Sequence, residues 1–299
     1  MYKDPFINEA IEVIKDIPRT TSCVCCGSTN VIKSNMRMAG FVIERMLNTV
    51  MLDSILDLAI QCQDCYFISS ELRFTDKQMQ RYYHEYMDAS SSGGRQHGSY
   101  VFHRLRNEGT GWFDLVKLYK QPWWINARKE AIVNVIKSKD IWLKDIKSVL
   151  DFGGDLGQYI PDELNHARRH VVEIEERELV EGVTAVSSPD KCDPVDLVLC
   201  CHTLEHVSYP NELVADMKRY LRPGGLLYIE VPDEEEPTLK SIRESKAIEM
   251  HEHINIFWPD SLEALIERNG FETLAIGRIP YNDVHKDLEP ARAILARLL

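Results

Sequence analysis

Two stretches near the N-terminus of this 299-residue chain, TSCVCCGS and QCQDCYF, hold the pairs Cys23-x-x-Cys26-Gly and Cys62-x-x-Cys65. Four thiolates so arranged can surround one zinc ion tetrahedrally, and the glycine after the first pair helps the backbone turn its amides toward sulfur. Cys25 lies inside the first pair as an alternative ligand, but the Cys-x-x-Cys-Gly pattern favours Cys23 and Cys26. Buried or redox-active thiols are the competing reading. Two matched pairs are much rarer by chance than one, which favours a structural zinc holding together a small, core-poor module.

A second group of reactive types lies far down the chain, where MHEHINIFWPDSL places His251, Glu252 and His253 before a helix start. This is not the HExxH spacing of a helical zinc protease. Histidine titrates near working pH, so these residues suit proton transfer. They suit equally well a structural hydrogen bond between strand and helix. A metal pair made of His251 and His253 has no third ligand near it in sequence.

The elements that must position these groups change character along the chain. TDKQMQRYYHEYMD opens with a capping box, Thr75 and Gln78, and carries Tyr82, Tyr83 and Tyr86 on its helix. SSSGGRQHGSY is a polar loop, either a lid or a connector, with Arg95 and His97. Residues 111 to 147 read as helical with an interruption at Pro122, and Trp112, Trp123, Trp124 and Trp142 read as packing anchors. From 148 onward, strands alternate with helices. KSVLDFGG, RHVVEIE, GVTAV, PVDLVLCC and LLYIEVP are strands; NELVADMKRYL is a helix stopped at RPGG. DSLEALIERNG is a further helix, capped by Asp260 and Glu263, and FETLAI returns to extended structure. The pattern predicts an α/β fold, a doubly wound, mostly parallel Rossmann-like sheet. The expected division is a zinc module over 1–75, a helical and lid region over 76–145, a core over 146–282 and a tail helix over 283–299.

Composition narrows the partners. The net charge of −12 argues against a nucleic-acid binder that relies on phosphate contacts. No apolar run approaches the length of a membrane span, and the N-terminus lacks a signal peptide's apolar core, so the expected location is cytoplasmic. A reducing cytoplasm makes the eight cysteines thiols or metal ligands rather than disulfides.

In an open parallel sheet, the ligand sits beyond the carboxyl ends of the strands. The first such end, VLDFGGDLGQYIP, gives Asp-x-Gly-x-x-x-Gly from Asp151 through Gly153 to Gly157. A dinucleotide site would want Gly-x-Gly-x-x-Gly, whose amides face pyrophosphate. Here Asp155 stands in place of a middle glycine, and its charge would repel pyrophosphate. A cationic ligand without phosphate fits, and S-adenosylmethionine has both a sulfonium and an amino group. Glu173, 22 residues beyond Asp151, ends the second strand where a carboxylate can take both ribose hydroxyls.

These stretches, with VDLVLCCHTLEHV and YLRPGGLLYIEVP, resemble the class I S-adenosylmethionine-dependent methyltransferases over roughly residues 145 to 280. The resemblance implies that Asp151, Gly153, Gly154 and Gly157 surround the methionine moiety and that Glu173 holds the ribose. It implies that Cys201 and His202 lie near cofactor and acceptor. Any adenine contact would fall to Ser187 or Asp190. Asp155 departs from the commoner glycine. The front half adds a narrower likeness to bacterial sugar methyltransferases acting on nucleotide-linked deoxysugars, including C-methyltransferases with an N-terminal zinc module. That likeness implies an acceptor pocket of His206, Glu252 and His253, with His253 as base, Glu252 orienting it or gripping the sugar, and His206 as the second candidate. Two departures stand out: Met250 replaces an expected aromatic, and about 20 residues follow FETLAIGRI where those C-methyltransferases carry a further domain, so DLEPARAILARLL is either a docking helix or the start of such a domain, and the expectation tilts slightly toward O-transfer. Arg95, His97, Arg104 and Arg106 are the candidates to meet acceptor phosphates. The expected partner is a sugar or nucleotide-sugar in glycan or secondary-metabolite synthesis. A homo-oligomer or a glycan-biosynthesis partner is compatible with it. The rivals are methylation of a non-sugar small molecule and a non-catalytic scaffold on the same fold.

Overall fold

The computed structural model of the chain describes residues 12–39, 54–81, 121–172, 178–250, 253–281 and 290–299. Its elements in chain order are β1 (Val31–Ala39), β2 (Ser54–Cys62), β3 (Ile68–Ser70), α1 (Pro122–Lys137), β4 (Ser148–Phe152), β5 (Arg168–Val172), β6 (Val183–Ala185) and β7 (Val195–Cys201). They continue with α2 (Pro210–Lys218), β8 (Leu221–Pro232), α3 (Glu235–Arg243), β9 (Ile248–Met250), β10 (Asn255–Ile256), α4 (Pro259–Arg268), β11 (Phe271–Ile279) and β12 (Ala291–Leu298).

The large sheet runs β11-β12-β8-β7-β4-β5-β6. The parallel neighbours β7, β4, β5 and β6 follow from buried apolar runs linked by crossovers. Along β7, Leu197 and Leu199 join the apolar cluster that holds Ile132 and Ile136 of α1. Val198 and Cys200 join the opposite cluster, with Val214 of α2 and Leu262 of α4. Alternate residues thus serve opposite faces, as in a strand covered on both sides. The tail predicted to be a helix is instead β12, antiparallel to both β8 and β11. Ala293 and Leu295 enter one face cluster, and Ile294, Ala296 and Leu298 the other. Burial on two faces overrides the helix propensity of this Ala- and Leu-rich segment.

The second sheet runs β10-β3-β2-β1-β9. β1 and β2 form a long antiparallel pair from Val31↔Cys62 to Ala39↔Ser54. Its two edge strands come from the other end of the chain: β9 pairs in parallel with β1, and β10 antiparallel with β3. The cysteine-bearing sheet is therefore not confined to residues 1–75, because the 146–282 segment closes it on both sides.

Two local expectations change. Pro122 begins α1, where a proline at the first helical position loses no intrahelical bond, and the helical stretch expected before it lies outside the described residues. α4 is capped by Ser261, whose Oγ accepts the Trp258 N–H at 2.8 Å, and not by Asp260 with Glu263. Trp124 is buried against Tyr281 as anticipated, whereas Trp142 is exposed with Lys144 over its ring; Trp112 lies outside the described residues. At Thr75 the capping box forms, with the Thr75 N–H donating to Gln78 Oε1 at 2.8 Å.

Candidate active site

Strand order reverses between β4 and β7: the chain winds out through β5 and β6, then returns to lay β7 on the other side of β4. Ligands bind in the crevice at such a switch point. Here the loop after β4 closes against the end of β7. A Cβ on Gly153 would lie 2.7 Å from Thr203 Oγ1, and one on Gly154 would lie 2.3 Å from Asp151 Cγ. Gly153 and Gly157 also have φ of +72° and +77°, a region that side chains disfavour. The glycines thus leave a backbone-lined cradle that a Cβ would fill, with the buried Asp151 carboxylate beside it. Asp155, at φ 51°, adds a second carboxylate and accepts from Gln158 Nε2 at 3.2 Å. A ligand carrying positive charge fits this donor set, and the residues present suit S-adenosylmethionine on that ground. Glu173, expected at the ribose, lies outside the described residues.

Past β7 the chain meets a network of alternating carboxylates and imidazoles. His202, at φ 52°, places Nε2 3.1 Å from Glu230 Oε1 and Nδ1 3.5 Å from Glu205 Oε1. Glu205 Oε1 is also 3.6 Å from His206 Nε2. The His206 and His253 rings meet edge to face, 4.8 Å between centroids, and His253 Nδ1 lies 3.0 Å from Glu234 Oε1. The two buried carboxylates are driven apart. Burial would raise the Glu230 carboxyl, but Arg128, His202 and the Tyr228 hydroxyl outweigh it and pull it down to about 2. Glu205, 1% exposed, is pushed up by burial to about 8, although the nearby His253 and its own backbone N–H pull the other way. Burial and the Arg128 charge lower the His202 pKa, which keeps that ring neutral.

This cluster spans both sheets. His206 follows β7 of the large sheet, while His253 lies between β9 and β10 of the other. Asn255 fastens the two halves: its amide donates to the Leu204 and Val207 carbonyls at 2.8 and 2.6 Å, and its N–H donates to the Glu205 carbonyl at 3.1 Å. Buried Arg73 adds a bond from Nη1 to the Ser208 carbonyl at 2.6 Å and another to the Ser70 carbonyl.

At the far side of α4, Cys23, Cys26, Cys62 and Cys65 converge, with all four sulfurs within 4.8 Å of one another. Cys23 and Cys65 are 3.8 Å apart, and Cys26 and Cys62 are 3.6 Å apart. Four ligands at the usual zinc–thiolate bond length sit about 3.8 Å apart, so the set has the size of a tetrahedral zinc centre. Cys25 adjoins Cys23 and Cys65 but stands outside the four-sulfur set: burial raises its thiol pKa well above the usual range, and the S–H donates to the Ser261 carbonyl at 3.0 Å.

The expected residues are thus grouped as follows. The four cysteines come together, as do Asp151, Gly153, Gly154 and Gly157. Cys201 ends β7 and His202 follows it, next to the Thr203 that meets the loop at Gly153, with the His202 ring engaged by Glu230. His206 and His253 adjoin. Glu252, His251, Arg95, His97, Arg104 and Arg106 lie outside the described residues. Sequence reasoning missed Glu205, Glu230 and Glu234. Glu205 stood in the LEHV motif beside His206, and its near-complete burial was the missing information. Glu234 lies in an acidic run, DEEE, that reads as a solvated face.

Residues 124–276, just over half of the chain, match the methyltransferase-domain family, and the chain belongs to it. Its fold is the Rossmann-like class I arrangement, and the protein is an S-adenosylmethionine-dependent methyltransferase. Among solved structures, it is similar to the Burkholderia thailandensis 1,6-didemethyltoxoflavin N1-methyltransferase, determined with S-adenosylhomocysteine. The two share 19% identity over 72% of this chain and 89% of that one, with a TM-score of 0.47. A methyltransferase from Thermotoga maritima is similar at 17% identity over 67% of this chain and 99% of that one, with a TM-score of 0.44. No curated protein sequence matches the chain significantly. Among the described residues, no helix is long and apolar enough to cross a membrane.

Proposed function

We propose that the enzyme methylates a hydroxyl of a sugar, bound free or as a nucleotide-sugar, with a structural zinc at Cys23, Cys26, Cys62 and Cys65. The observation that carries the acceptor assignment is the cluster of Glu205, His206, His253 and Glu234 beside the glycine cradle. A wall of ionisable hydrogen-bonding groups suits a polyhydroxylated acceptor better than an apolar ring. Bound S-adenosylmethionine supplies an electrophilic methyl group on its sulfonium. The protein's own part is orientation and removal of the acceptor proton, the first of which carries most of the acceleration in an in-line displacement. Glu234, hydrogen-bonded at Nδ1, fixes the His253 ring so that Nε2 takes the proton, and His206 stacks edge-on to hold that face. Glu252 is assigned to gripping or orienting on sequence grounds. Asp151 and Gly153, Gly154 and Gly157 hold the cofactor, with Glu173 at the ribose and Cys201 and His202 on the acceptor side of the crevice.

His253→Ala tests this. Turnover is expected to fall by about a hundredfold or more, the usual worth of a general base, with S-adenosylmethionine affinity by calorimetry unchanged. Retained turnover removes the cluster from the reaction. Incubation with candidate sugars and nucleotide-sugars, read by mass spectrometry for the gain of one methylene, tests the acceptor. Methylation confined to non-sugar acceptors would refute that part.

A further inference from the structure

We propose that Glu205, His206 and His253 form a divalent-cation site, separate from the cysteine centre, that holds and polarises the acceptor oxygen. The inference rests on the assignment of acceptor activation to this cluster, and it puts a bound cation in place of the His253 base as the group that activates the acceptor. Three observations carry it. One ligand atom from each residue lies within 4.8 Å of the other two. Two ligands on one ion, each at a bond of about 2.1 Å, lie at most about 4.2 Å apart, and Glu205 with His206 already meets this at 3.6 Å. Side-chain rotation that draws the remaining pairs within that limit closes the set.

The second observation is Glu205 itself. It is 1% exposed, and the side chains nearest its oxygens, His202 and His206, stand at 3.5 and 3.6 Å, too far for a good hydrogen bond. Ionised, a carboxylate so deeply buried is costly unless an opposite charge meets it, and a bound cation would supply that charge. The third is the outer partner. Glu234 holds His253 Nδ1 at 3.0 Å, the carboxylate–histidine contact that orients a metal-ligating imidazole toward its ion through Nε2. Two imidazoles and one carboxylate leave coordination positions open for an external oxygen. The donor set suits ions such as Mn²⁺ or Fe²⁺, whereas thiolates favour zinc.

With the cation in place, His206 and His253 give their lone pairs to the ion, and the acceptor is activated by its charge. The acceptor O–H bond breaks, its proton passing to solvent. The oxygen lone pair forms the O–C bond to the transferred methyl, and the C–S electron pair stays on sulfur as the sulfonium becomes a thioether.

The test is Mn²⁺ titration of the full chain, read by the electron paramagnetic resonance of the free ion, with zinc counted separately by elemental analysis. One Mn²⁺ per chain is expected. Glu205→Gln should weaken binding about a hundredfold or more, and Glu234→Gln by about 10- to 100-fold. Both variants should keep S-adenosylmethionine affinity and zinc content, which shows that they fold. No saturable Mn²⁺ binding, or binding unchanged by Glu205→Gln, overturns the proposal. Full turnover after EDTA treatment also overturns it while leaving the histidine-base reading standing. Retained turnover in His253→Ala removes both. Lost turnover restored by Mn²⁺ supports the cation.

Discussion

Replacing Glu230 by Gln tests whether the buried network behind the cluster is held by charge. Glu230 is fully buried and receives Arg128 Nη2 at 3.1 Å, the Tyr228 hydroxyl at 2.9 Å and the Tyr281 hydroxyl at 3.0 Å. Glutamine keeps the volume but leaves Arg128 without a countercharge, and breaking a buried pair from one side costs about 3–5 kcal/mol. An independent route gives a similar figure. The carboxyl is pulled from 4.5 to about 2 in the folded chain, and at about 1.4 kcal/mol per pH unit that corresponds to roughly 3 kcal/mol. The sign follows from a depressed carboxylate: the stabilisation is complete above about pH 4.5 and disappears as pH falls through about 2. Urea unfolding of both proteins at pH 7, 5, 4 and 3 should show the variant less stable by about 3 kcal/mol at pH 7, with the gap narrowing below pH 4.5. A gap under about 1 kcal/mol, or one independent of pH, would show that hydrogen bonding and packing hold this site and that the charge argument is wrong.

Two other substitutions probe the parts that bring the cluster together. Cys62→Ser should remove about one equivalent of zinc and lower the unfolding temperature, read by elemental analysis and calorimetry; an unchanged zinc content would refute the four-cysteine centre. Asn255→Ala strips the donors from one buried and one part-buried carbonyl, at up to about 1–3 kcal/mol each, so urea unfolding should report a loss of about 2–6 kcal/mol. Its turnover should fall further than its S-adenosylmethionine affinity, and equal losses would show that Asn255 does not fix the Glu205–His206 turn.

How far the molecule could be read from its sequence depended on whether the information was local. The strands from Ser148 to Pro232 formed about where the pattern placed them, except that β8 begins at Leu221 and runs through the RPGG read as a turn. The paired cysteines were legible because metal-ligand spacing is itself local. The tail was misread because Ala, Leu and Arg favour a helix in isolation, and only the gap between β8 and β11 makes it a strand. Likewise, β9 and β10 are short segments that gain meaning from a sheet begun more than 200 residues earlier. In the active site, His206 and His253 could be singled out by type, but their neighbour Glu205 could not. Its role depends on burial and on a third residue 48 positions away, neither of which a linear motif records.

The joining of the two sheets explains why a cysteine module accompanies a methyltransferase core at all. A core sheet alone supplies the glycine cradle and, from the turn after β7, Glu205 and His206. The opposing half of the cluster, His253, hangs between β9 and β10, which are edge strands of the cysteine-bearing sheet. That sheet is small, and the cysteines pack directly on the core beside Leu262 and Leu265 of α4, with Cys25 bonded to the α4 backbone. Phe67, two residues beyond Cys65, meets Phe257 at 4.9 Å just after β10. The thiolate centre is therefore coupled through a few packed residues to the segment that sets the His206–His253 distance. With zinc bound there as proposed, its loss should loosen the proposed acceptor side first, because the glycine cradle proposed for the cofactor is built from β4 and β7, which belong entirely to the other sheet. Zinc removal that abolished S-adenosylmethionine binding while sparing the acceptor site would contradict this order of dependence.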